Sequence, residues 1–159
     1  MDLGDKTSRC CGLDESGEVL FEQSVASTKK GMAERFGGMA PCRIALEVGT
    51  HSPWVSRLLA GLGHEAIVAN ARQVKLISQS TRKDDKLDAR TLARLARIDP
   101  ELLRPIRHRS EAAQLDLLQI RVRTGLLDAR TALINAARGY AKPFGERLPK
   151  CDADAARGI

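Results

Sequence analysis

The sequence predicts an α/β fold, with a mixed sheet flanked by helices, followed by a long helical extension. Three observations carry this prediction. Two short extended runs surround an acidic turn near the start, a strand–helix–strand pattern follows, and apolar residues then recur at spacings of three and four over positions 115–136. The length of 159 residues suits one ordinary domain, or one domain with an appendage.

The charge is unevenly distributed along the chain. The formal net charge is +6, but residues 1–42 hold five Lys/Arg and seven Asp/Glu, whereas residues 43–159 hold 21 and 13. A basic C-terminal part favours a polyanionic partner, with nucleic acid the first candidate, although charge alone does not exclude a plain soluble basic surface. Aromatic residues make up 3% of the chain, so the core must be aliphatic.

The four cysteines show no spacing of the CxxC kind that binds metal; they are Cys10, Cys11, Cys42 and Cys151. Reduced thiols in a cytoplasmic protein are the favoured interpretation. No apolar run approaches the roughly 20 residues that a membrane span requires, and no signal peptide is visible. The sequence therefore predicts a cytoplasmic protein without a membrane partner.

Extended runs on either side of the turn at residues 14–17 predict a β-hairpin. Asp2 is expected on the first strand, which has almost no chain before it, so either the true protein starts earlier or this chain is a fragment. A short helix is predicted over residues 27–39, with Thr28 as its cap and the pair Gly37-Gly38 as its stop.

A parallel strand pair is predicted next. Residues 41–47 and 64–69 have strand character, and a helix over residues 52–62 lies between them with Pro53 in its first turn. Strand, helix and strand in this order imply parallel pairing through a right-handed crossover. A short helix over residues 70–77 and a polar, basic loop over residues 78–83 are expected to follow.

The run from Arg82 to Arg97 organises the prediction of function. Asp85 and Asp88 precede Leu92 and Leu95 at spacings of three and four, which places all four on one stripe of a helix. Ionised carboxylates avoid an apolar stripe unless a partner compensates for their desolvation, and a bound cation is the usual compensation. Acidic residues also cap the first turn of many helices, and taken alone the pair is better explained in that way.

A long helix is predicted to begin after Ser110, beyond a connection marked by Pro100 and Pro105. Its apolar positions have a period near 3.5, which suits packing against a partner helix; they are Leu115, Leu118, Val122, Leu126, Ala129, Leu133 and Ala136. Self-association and packing on its own domain both remain open. The chain after Gly139 is expected to be loosely ordered. The predicted domains are 1–100, a helical extension over 101–140, and a tail or linker over 141–159.

Four acidic residues are expected to lie close together at the carboxyl end of a parallel strand. Glu47 ends a parallel strand, and sites in open α/β sheets form at the carboxyl ends of strands. With Asp2, Asp85 and Asp88 it would form a carboxylate set that suits hard divalent cations, and two such ions can cleave a phosphodiester. Basic residues nearby would neutralise a nucleic-acid backbone; they are Arg72, Lys75, Arg82, Lys83, Lys86 and Arg90.

Three runs of sequence resemble the DEDD motif of the insertion-sequence-110 transposase family. They are Asp2-Leu3-Gly4, Ala45-Leu46-Glu47-Val48-Gly49 and the stretch from Lys83 to Ala93. Asn70 with Val74-Lys75, and the helix around Arg123 to Gly139, are also similar to that family. The resemblance covers nearly the whole chain. One departure is Asp5, where the family usually has a lysine.

The resemblance implies an RNase H-like, RuvC-type catalytic domain. It implies that Asp2, Glu47, Asp85 and Asp88 are catalytic and hold Mg²⁺, with Mn²⁺ able to substitute. Members of the family cut and rejoin DNA during insertion-sequence movement, and an RNA encoded by the element guides target choice in characterised members. The complete family protein carries a further C-terminal domain with a serine that takes part in strand exchange. This chain would then be the N-terminal catalytic domain of such a transposase, with a homo-oligomer expected through the helix over residues 110–138.

Two other functions remain as alternatives. One is a non-catalytic nucleic-acid-binding and dimerisation fragment of a degraded transposase, and the other is a nuclease resembling a Holliday-junction resolvase. His51, four residues after Glu47, is expected at the surface or as a cap. Ser52 is expected to cap a helix rather than to act as a nucleophile, because no His-Asp pattern accompanies it.

Overall fold

The fold is described by a computed structural model, which gives the backbone of residues 1–70 and 85–149 and the side chains of residues 1–70 and 89–149. These residues form a mixed α/β arrangement of short sheets with a long C-terminal helix. Its elements are β1 (Thr7–Leu13), β2 (Val19–Ala26), α1 (Lys29–Phe36), β3 (Arg43–Glu47), α2 (Ser52–Gly61), β4 (Glu65–Ala69), α3 (Asp85–Ile98) and α4 (Glu111–Ala141). The chain divides into two compact units, Met1–His108 and Arg109–Ile159.

The predicted hairpin is confirmed, since β1 and β2 pair antiparallel. Asp14 organises the turn between them because its Oδ1 accepts hydrogen bonds from the Ser16 hydroxyl at 2.6 Å and the Glu18 amide at 2.9 Å. The Ser16 hydrogen bond lowers the pKa of Asp14, because it favours the ionised carboxylate. Gly17 has a φ of +92°, a conformation that a residue with a Cβ rarely adopts.

Asp2 does not lie on β1, so that part of the prediction is wrong. It lies ahead of the strand, in an isolated antiparallel bridge with Arg9 in which each amide donates to the other carbonyl at 2.9 Å. The chain reverses between them, and the Ser27 hydroxyl donates to the Gly4 carbonyl at 2.7 Å. A side chain at Gly4 would collide with the Thr7 carbonyl oxygen, so the absence of a Cβ permits this tight reversal.

The predicted parallel pair is also confirmed, with β3 in register from Arg43 opposite Glu65 to Glu47 opposite Ala69. Alternate residues of both strands enter two different apolar clusters, as the two-residue period of a strand requires. The first cluster receives Ile44, Leu46 and Val68. The second receives Ala45, Ile67 and Ala69. The pair is therefore covered on both faces, which explains its continuous apolar sequence.

Helices supply the remainder of each cluster. The first cluster contains Met32 and Phe36 of α1 with Val55 and Leu59 of α2. α1 is shorter than predicted: the Thr28 hydroxyl caps it by accepting the Gly31 amide at 3.1 Å, but the helix ends at Phe36, before Gly37. Glycine at this position favours an end to the helix because its backbone loses more conformational freedom there.

The second cluster is completed by α3, and the helix predicted over Asp85–Arg97 is confirmed with one further residue, Ile98. It contributes Leu92, Leu95 and Ala96, and Leu103 joins them from a 3-10 turn over Pro100–Leu103. The Leu103 carbonyl accepts the Asn70 amide at 3.1 Å. The predicted helix over residues 70–77 and the basic loop over residues 78–83 lie, beyond Asn70, outside the described residues.

The long helix α4 forms as predicted, and the Ser110 hydroxyl caps it by accepting the Ala113 amide at 3.2 Å. None of its 31 residues is buried. It continues past Gly139, where looser structure was expected, and a 3-10 turn over Lys142–Phe144 follows it. Pro143 fits such a first turn because the amide it lacks would have no partner within the turn. No helix in the described ranges has both the length and the apolar character needed to cross a bilayer.

Candidate functional site

The structure describes two of the four predicted carboxylates in full. Asp2 and Glu47 are both partly buried and both engage other groups. Asp85 and Asp88 lie in the first turn of α3, and their side chains are outside what the structure describes. Asp2, Glu47 and the direction of α3 define the candidate site.

Asp2 lies beside the strand that ends at Glu47. The Met1 amine donates to the Ala45 carbonyl at 2.6 Å, two residues before the end of β3. Met1 and Leu3 both pack on the first apolar cluster. Because successive side chains of an extended chain point to opposite faces, Asp2 is directed to the face of the second cluster.

Glu47 is directed to the same face. Ala45, two residues earlier on β3, belongs to the second cluster, while Ile44 and Leu46 belong to the first. Residues two apart on a strand share a face. Asp2 and Glu47 thus occupy neighbouring extended segments and point to the face of the sheet on which α3 packs.

The contacts of α3 fix its direction relative to both segments. Near its end, the Ala96 carbonyl accepts Arg43 Nη1 at 3.2 Å, at the start of β3. The next residue, Arg97, donates to the Glu15 carbonyl at 3.0 Å and the Ser16 carbonyl at 3.2 Å, at the tip of the hairpin. The first turn of α3 therefore lies toward the opposite ends of these elements, which are the end of β3 and the Asp2 side of β1.

The donor chemistry fits a hard divalent cation, since carboxylate oxygens are the ligands that Mg²⁺ and Mn²⁺ prefer. Within the described residues there is no group of three or more His, Cys, Asp or Glu side chains arranged to hold a metal ion. Of the four predicted ligands, that statement covers Asp2 and Glu47.

Of the six predicted nucleic-acid-binding residues, the structure describes one side chain. Residues 72, 75, 82 and 83 lie outside the described ranges, and the side chain of Lys86 is likewise undescribed. Arg90 donates to Glu22 Oε1 from Nε at 2.9 Å and Nη2 at 2.7 Å. This contact raises the pKa of Arg90 and ties the middle of α3 to β2.

The loop that follows Glu47 is braced by a contact that the sequence did not predict. The buried Ser52 hydroxyl accepts the Gly49 amide at 3.0 Å, donates to the Gly49 carbonyl at 2.8 Å and lies 2.9 Å from His108 Nε2. Burial and the charge of Arg57 lower the pKa of His108, which favours its neutral form. Because 56 residues separate the two side chains, no local pattern could have revealed the contact.

His51 contacts Trp54 at the start of α2 and the carboxylate of Asp5. It occupies the N-cap position without a capping side-chain hydrogen bond. Its Nδ1 accepts the Trp54 indole N–H at 3.1 Å, and its Nε2 lies 3.4 Å from Asp5 Oδ1. Ser52 is the first helical residue and not the cap, so the predicted capping role is displaced by one position.

The three described cysteines, Cys10, Cys11 and Cys42, are free thiols. Burial is the main cause that raises the pKa of each, so all three favour the protonated thiol. Cys42 Sγ lies 3.5 Å from His64 Nδ1, a ring that is buried and also contacts the Cys42 amide and the Phe36 carbonyl. His64 therefore has a structural role between α1 and β3.

Comparison with known proteins identifies the family of this chain. Residues 1–142 match the transposase family of DEDD type from insertion sequence IS110. The chain belongs to this family. It is also 27% identical over 179 aligned residues to the transposase for insertion sequence element IS1111A from Coxiella burnetii (strain RSA 493 / Nine Mile phase I), covering 100% of this chain and 45% of the relative. The chain thus spans about half the length of that relative.

Proposed function

We propose that this chain is the catalytic N-terminal part of a transposase that cuts and rejoins DNA with the help of divalent cations. The observation that carries the proposal is the direction of α3. Its end contacts the start of β3 and the tip of the hairpin, so its first turn, with Asp85 and Asp88, lies toward the ends at which Asp2 and Glu47 are found. Family membership supports the same function.

The strand arrangement supports an RNase H-like, RuvC-type fold for residues 1–100. Met1 and Asp2 bridge the two strand pairs: Asp2 pairs with Arg9 on β1, and the Met1 amine bonds to Ala45 on β3. The order across the molecule is β2, β1, the Met1–Asp2 segment, β3 and β4. The antiparallel hairpin and the parallel pair, two sheets that Met1 and Asp2 link, are compatible with the mixed sheet that the resemblance implies.

Each carboxylate has a role in this proposal. Asp2, Glu47, Asp85 and Asp88 would hold Mg²⁺, and Mn²⁺ would substitute. Ions held there would supply activation of an attacking water or hydroxyl and stabilisation of the leaving oxygen of a phosphodiester. The protein supports the ligands through the Asp2–Arg9 bridge, through the hydrogen bond of the Val48 amide to the Ala69 carbonyl at 2.9 Å, and through the packing of α3.

The basic residues before and within α3 would contact the phosphate backbone of the substrate DNA, and of a guide RNA encoded by the element. They are Arg72, Lys75, Arg82, Lys83, Lys86 and Arg90. Lys and Arg neutralise phosphates without reading sequence, and binding through them weakens steeply with salt. Arg90 would have to exchange its Glu22 partner for a phosphate.

α4 would join two copies of the chain. Its apolar side chains are exposed at spacings near 3.5; Leu118, Val122 and Leu126 are 54%, 53% and 67% exposed. Leu126→Asp should therefore convert a dimer to a monomer in sedimentation experiments. Asp128→Ala, on the same helix at a position off the seam, serves as the control. A wild-type chain that sediments as a monomer at every concentration would contradict the dimer.

The metal site is tested by Mn²⁺ binding to this chain, measured calorimetrically. Glu47→Gln keeps the size and polarity of the side chain but removes the charge, and it should weaken Mn²⁺ binding ~10-fold or more. Asp88→Asn should do the same, and in the full-length protein it should abolish metal-dependent cleavage. Far-UV circular dichroism checks that both variants fold.

Glu65→Gln is the matched control, because Glu65 lies on the same strand pair at the opposite end. It should leave Mn²⁺ binding unchanged. If Glu47→Gln binds Mn²⁺ as well as the wild type does, the assignment of the site is wrong. If neither acid-to-amide variant alters any activity while charge reversal at Arg82 and Lys83 weakens binding to DNA or RNA, the protein is a non-catalytic binding module.

A further inference from the structure

A small polar cavity of about 170 Å³ lies in the first unit, between the hairpin and α3. The two strands of the hairpin supply most of its wall and α3 supplies one residue; the lining residues are Arg9, Cys10, Cys11, Glu22, Gln23 and Ala89. A water molecule occupies about 30 Å³ in the liquid, so the cavity has room for a group the size of a phosphate together with water. Its polar wall distinguishes it from the two apolar clusters and suits a polar ligand.

The Arg9 side chain projects from β1 on the face against which α3 packs. Cys10 is buried in the first apolar cluster, whereas Arg9 beside it is exposed. Successive side chains of a strand point to opposite faces, so Arg9 and Cys11 share the other face. Burial raises the pKa of the Cys11 thiol, and the nearby charges of Arg90 and Arg94 on α3 oppose that rise. Arg9 therefore lies on the side of the hairpin that faces α3.

Arg9 is also the cross-strand neighbour of Asp2. The two residues form an antiparallel bridge in which each amide donates to the other carbonyl at 2.9 Å. Side chains of directly opposite residues lie on the same face of a sheet, with their Cβ atoms about 4.5–5.5 Å apart. The exposed guanidinium of Arg9 can therefore reach a group that meets the Asp2 carboxylate.

The charges around the cavity favour an anion. Among the described side chains, three arginines lie around it, Arg9 in its wall and Arg90 and Arg94 close to the thiol in that wall. Two acids oppose them, Glu22 in the wall and Asp2 beside Arg9. Glu22 is already engaged, because its Oε1 accepts two hydrogen bonds from Arg90. Arg9 thus presents a planar fork of N–H donors, which matches the oxygens of a phosphate.

We propose that this cavity binds a backbone phosphate of nucleic acid through Arg9, next to the phosphodiester on which the carboxylates act. The choice of nucleic acid as the source of the phosphate rests on the proposed function, whereas the cavity as an anion site rests on its own geometry. Arg9 holds the strand without reading its sequence, because every nucleotide carries the same phosphate. Glu22 opposes this binding, since its carboxylate repels the phosphate and occupies Arg90.

The test measures binding of the complete chain to a DNA duplex and to an RNA duplex by fluorescence anisotropy, over a series of KCl concentrations with EDTA present. Arg9→Gln should weaken binding and reduce the slope of log K against log salt by about 0.9 on DNA, the change expected for one lost phosphate contact. Arg9→Lys retains the charge and should retain most of the slope. Lys30→Gln is the matched control and should leave the slope unchanged, because Lys30 is exposed on α1, which packs on the first apolar cluster.

A substitution of the opposing acid provides an independent readout. Glu22→Gln removes a negative charge from the cavity wall and weakens the hold on Arg90, so it should strengthen binding to the duplexes by ~2-fold or more and steepen the salt dependence. Urea unfolding of each variant checks that it is folded. A folded Glu22→Gln chain that binds more weakly than the wild type overturns the proposal.

The salt slope decides the main outcome. A slope that Arg9→Gln leaves unchanged overturns the proposal, as does a wild-type chain that binds neither duplex. A larger change on DNA assigns the phosphate to the substrate strand, and a larger change on RNA assigns it to a guide; both support the phosphate site. The proposed function fails separately: if Arg9→Gln reduces the slope but the wild-type chain binds no Mn²⁺, the phosphate site stands and the metal site is wrong.

Discussion

α3 and α4 both have an apolar face, and the two faces differ in their burial within the described residues. Both helices have leucines at spacings of three and four, yet Leu92 is 1% exposed and Leu126 is 67% exposed. α3 packs on β1 and β3 within the first unit, whereas no residue of α4 is buried within the chain. Periodicity therefore identifies an apolar face and leaves open whether its partner lies in the same molecule.

The largest expected effect comes from truncating a buried leucine of α3, compared with an exposed leucine of α4. Leu92→Ala removes a fully buried side chain from the second apolar cluster and should lower the free energy of unfolding by about 2–5 kcal/mol. Leu126→Ala, the matched change on α4, should alter it by less than about 0.5 kcal/mol when measured on a monomer. Urea unfolding followed by circular dichroism measures both. Equal effects would mean that α4 is buried in solution.

The next effect concerns a side-chain contact within the first unit, between Ser52 and His108. Ser52→Ala leaves His108 Nε2 and the Gly49 backbone without their hydroxyl partner, and should cost about 1–3 kcal/mol of unfolding free energy. Ser56→Ala on the same helix is the control, because its hydroxyl makes a local bond to the Pro53 carbonyl. A smaller loss for Ser52→Ala than for Ser56→Ala would contradict the bracing role.

Removal of the N-cap hydroxyl should have smaller effects, which again differ between a helix that packs on the core, α1, and one that does not, α4. Thr28→Ala should lower the free energy of unfolding of the first unit by about 1 kcal/mol, since α1 contributes Met32 and Phe36 to the core. Ser110→Ala removes an equivalent hydrogen bond from α4 but should only increase fraying of its first turn. Hydrogen exchange separates the two, because a global loss reaches every slow amide and fraying reaches residues 111–114 alone.

The smallest effect depends on pH. The pKa of His108 is lowered in the folded protein, so the unfolded chain binds more protons just below the ordinary value of 6.5. Stability should therefore fall as the pH decreases from about 6.5 through the folded pKa. His108→Gln should flatten this part of the profile, which urea midpoints at a series of pH values would measure. An unchanged slope would contradict the assignment to His108.

Local signals in the sequence account for most of the fold. The acidic Ser-Gly turn, the Thr28 and Ser110 caps and the strand–helix–strand run each determine structure within a few residues, and each was predicted. The position of Asp2 was not, because it depends on a chain reversal at Gly4 that the sequence does not distinguish from a continuous strand. The predicted end of α1 at Met39 is three residues too late, because two glycines do not fix the last helical residue.

The positions of the candidate site residues in strands and helices were predictable, whereas the contacts that orient α3 were not. Glu47 at the end of a strand and the acids at the start of α3 follow from local pattern together with the rule for open sheets. The contacts that set the direction of α3 join Arg43 to Ala96 and Arg97 to the hairpin tip, across more than 50 residues. Pairings of this length depend on the complete fold, and the same applies to Ser52 with His108.

Arg97 is hydrogen-bonded to the hairpin tip, so a shift of the tip would tilt α3 as a rigid helix. Gly17 allows the guanidinium to lie close, because a Cβ there would come within 2.7 Å of Arg97 Nη2. At 1.5 Å per residue, the first turn of α3 is about 18 Å from Arg97, so a tilt of about 10° at the tip moves that turn by about 3 Å. Metal ligands tolerate displacements nearer 0.5 Å. Under the proposed function, a change in this surface turn would therefore alter whether Asp85 and Asp88 act together with Asp2 and Glu47.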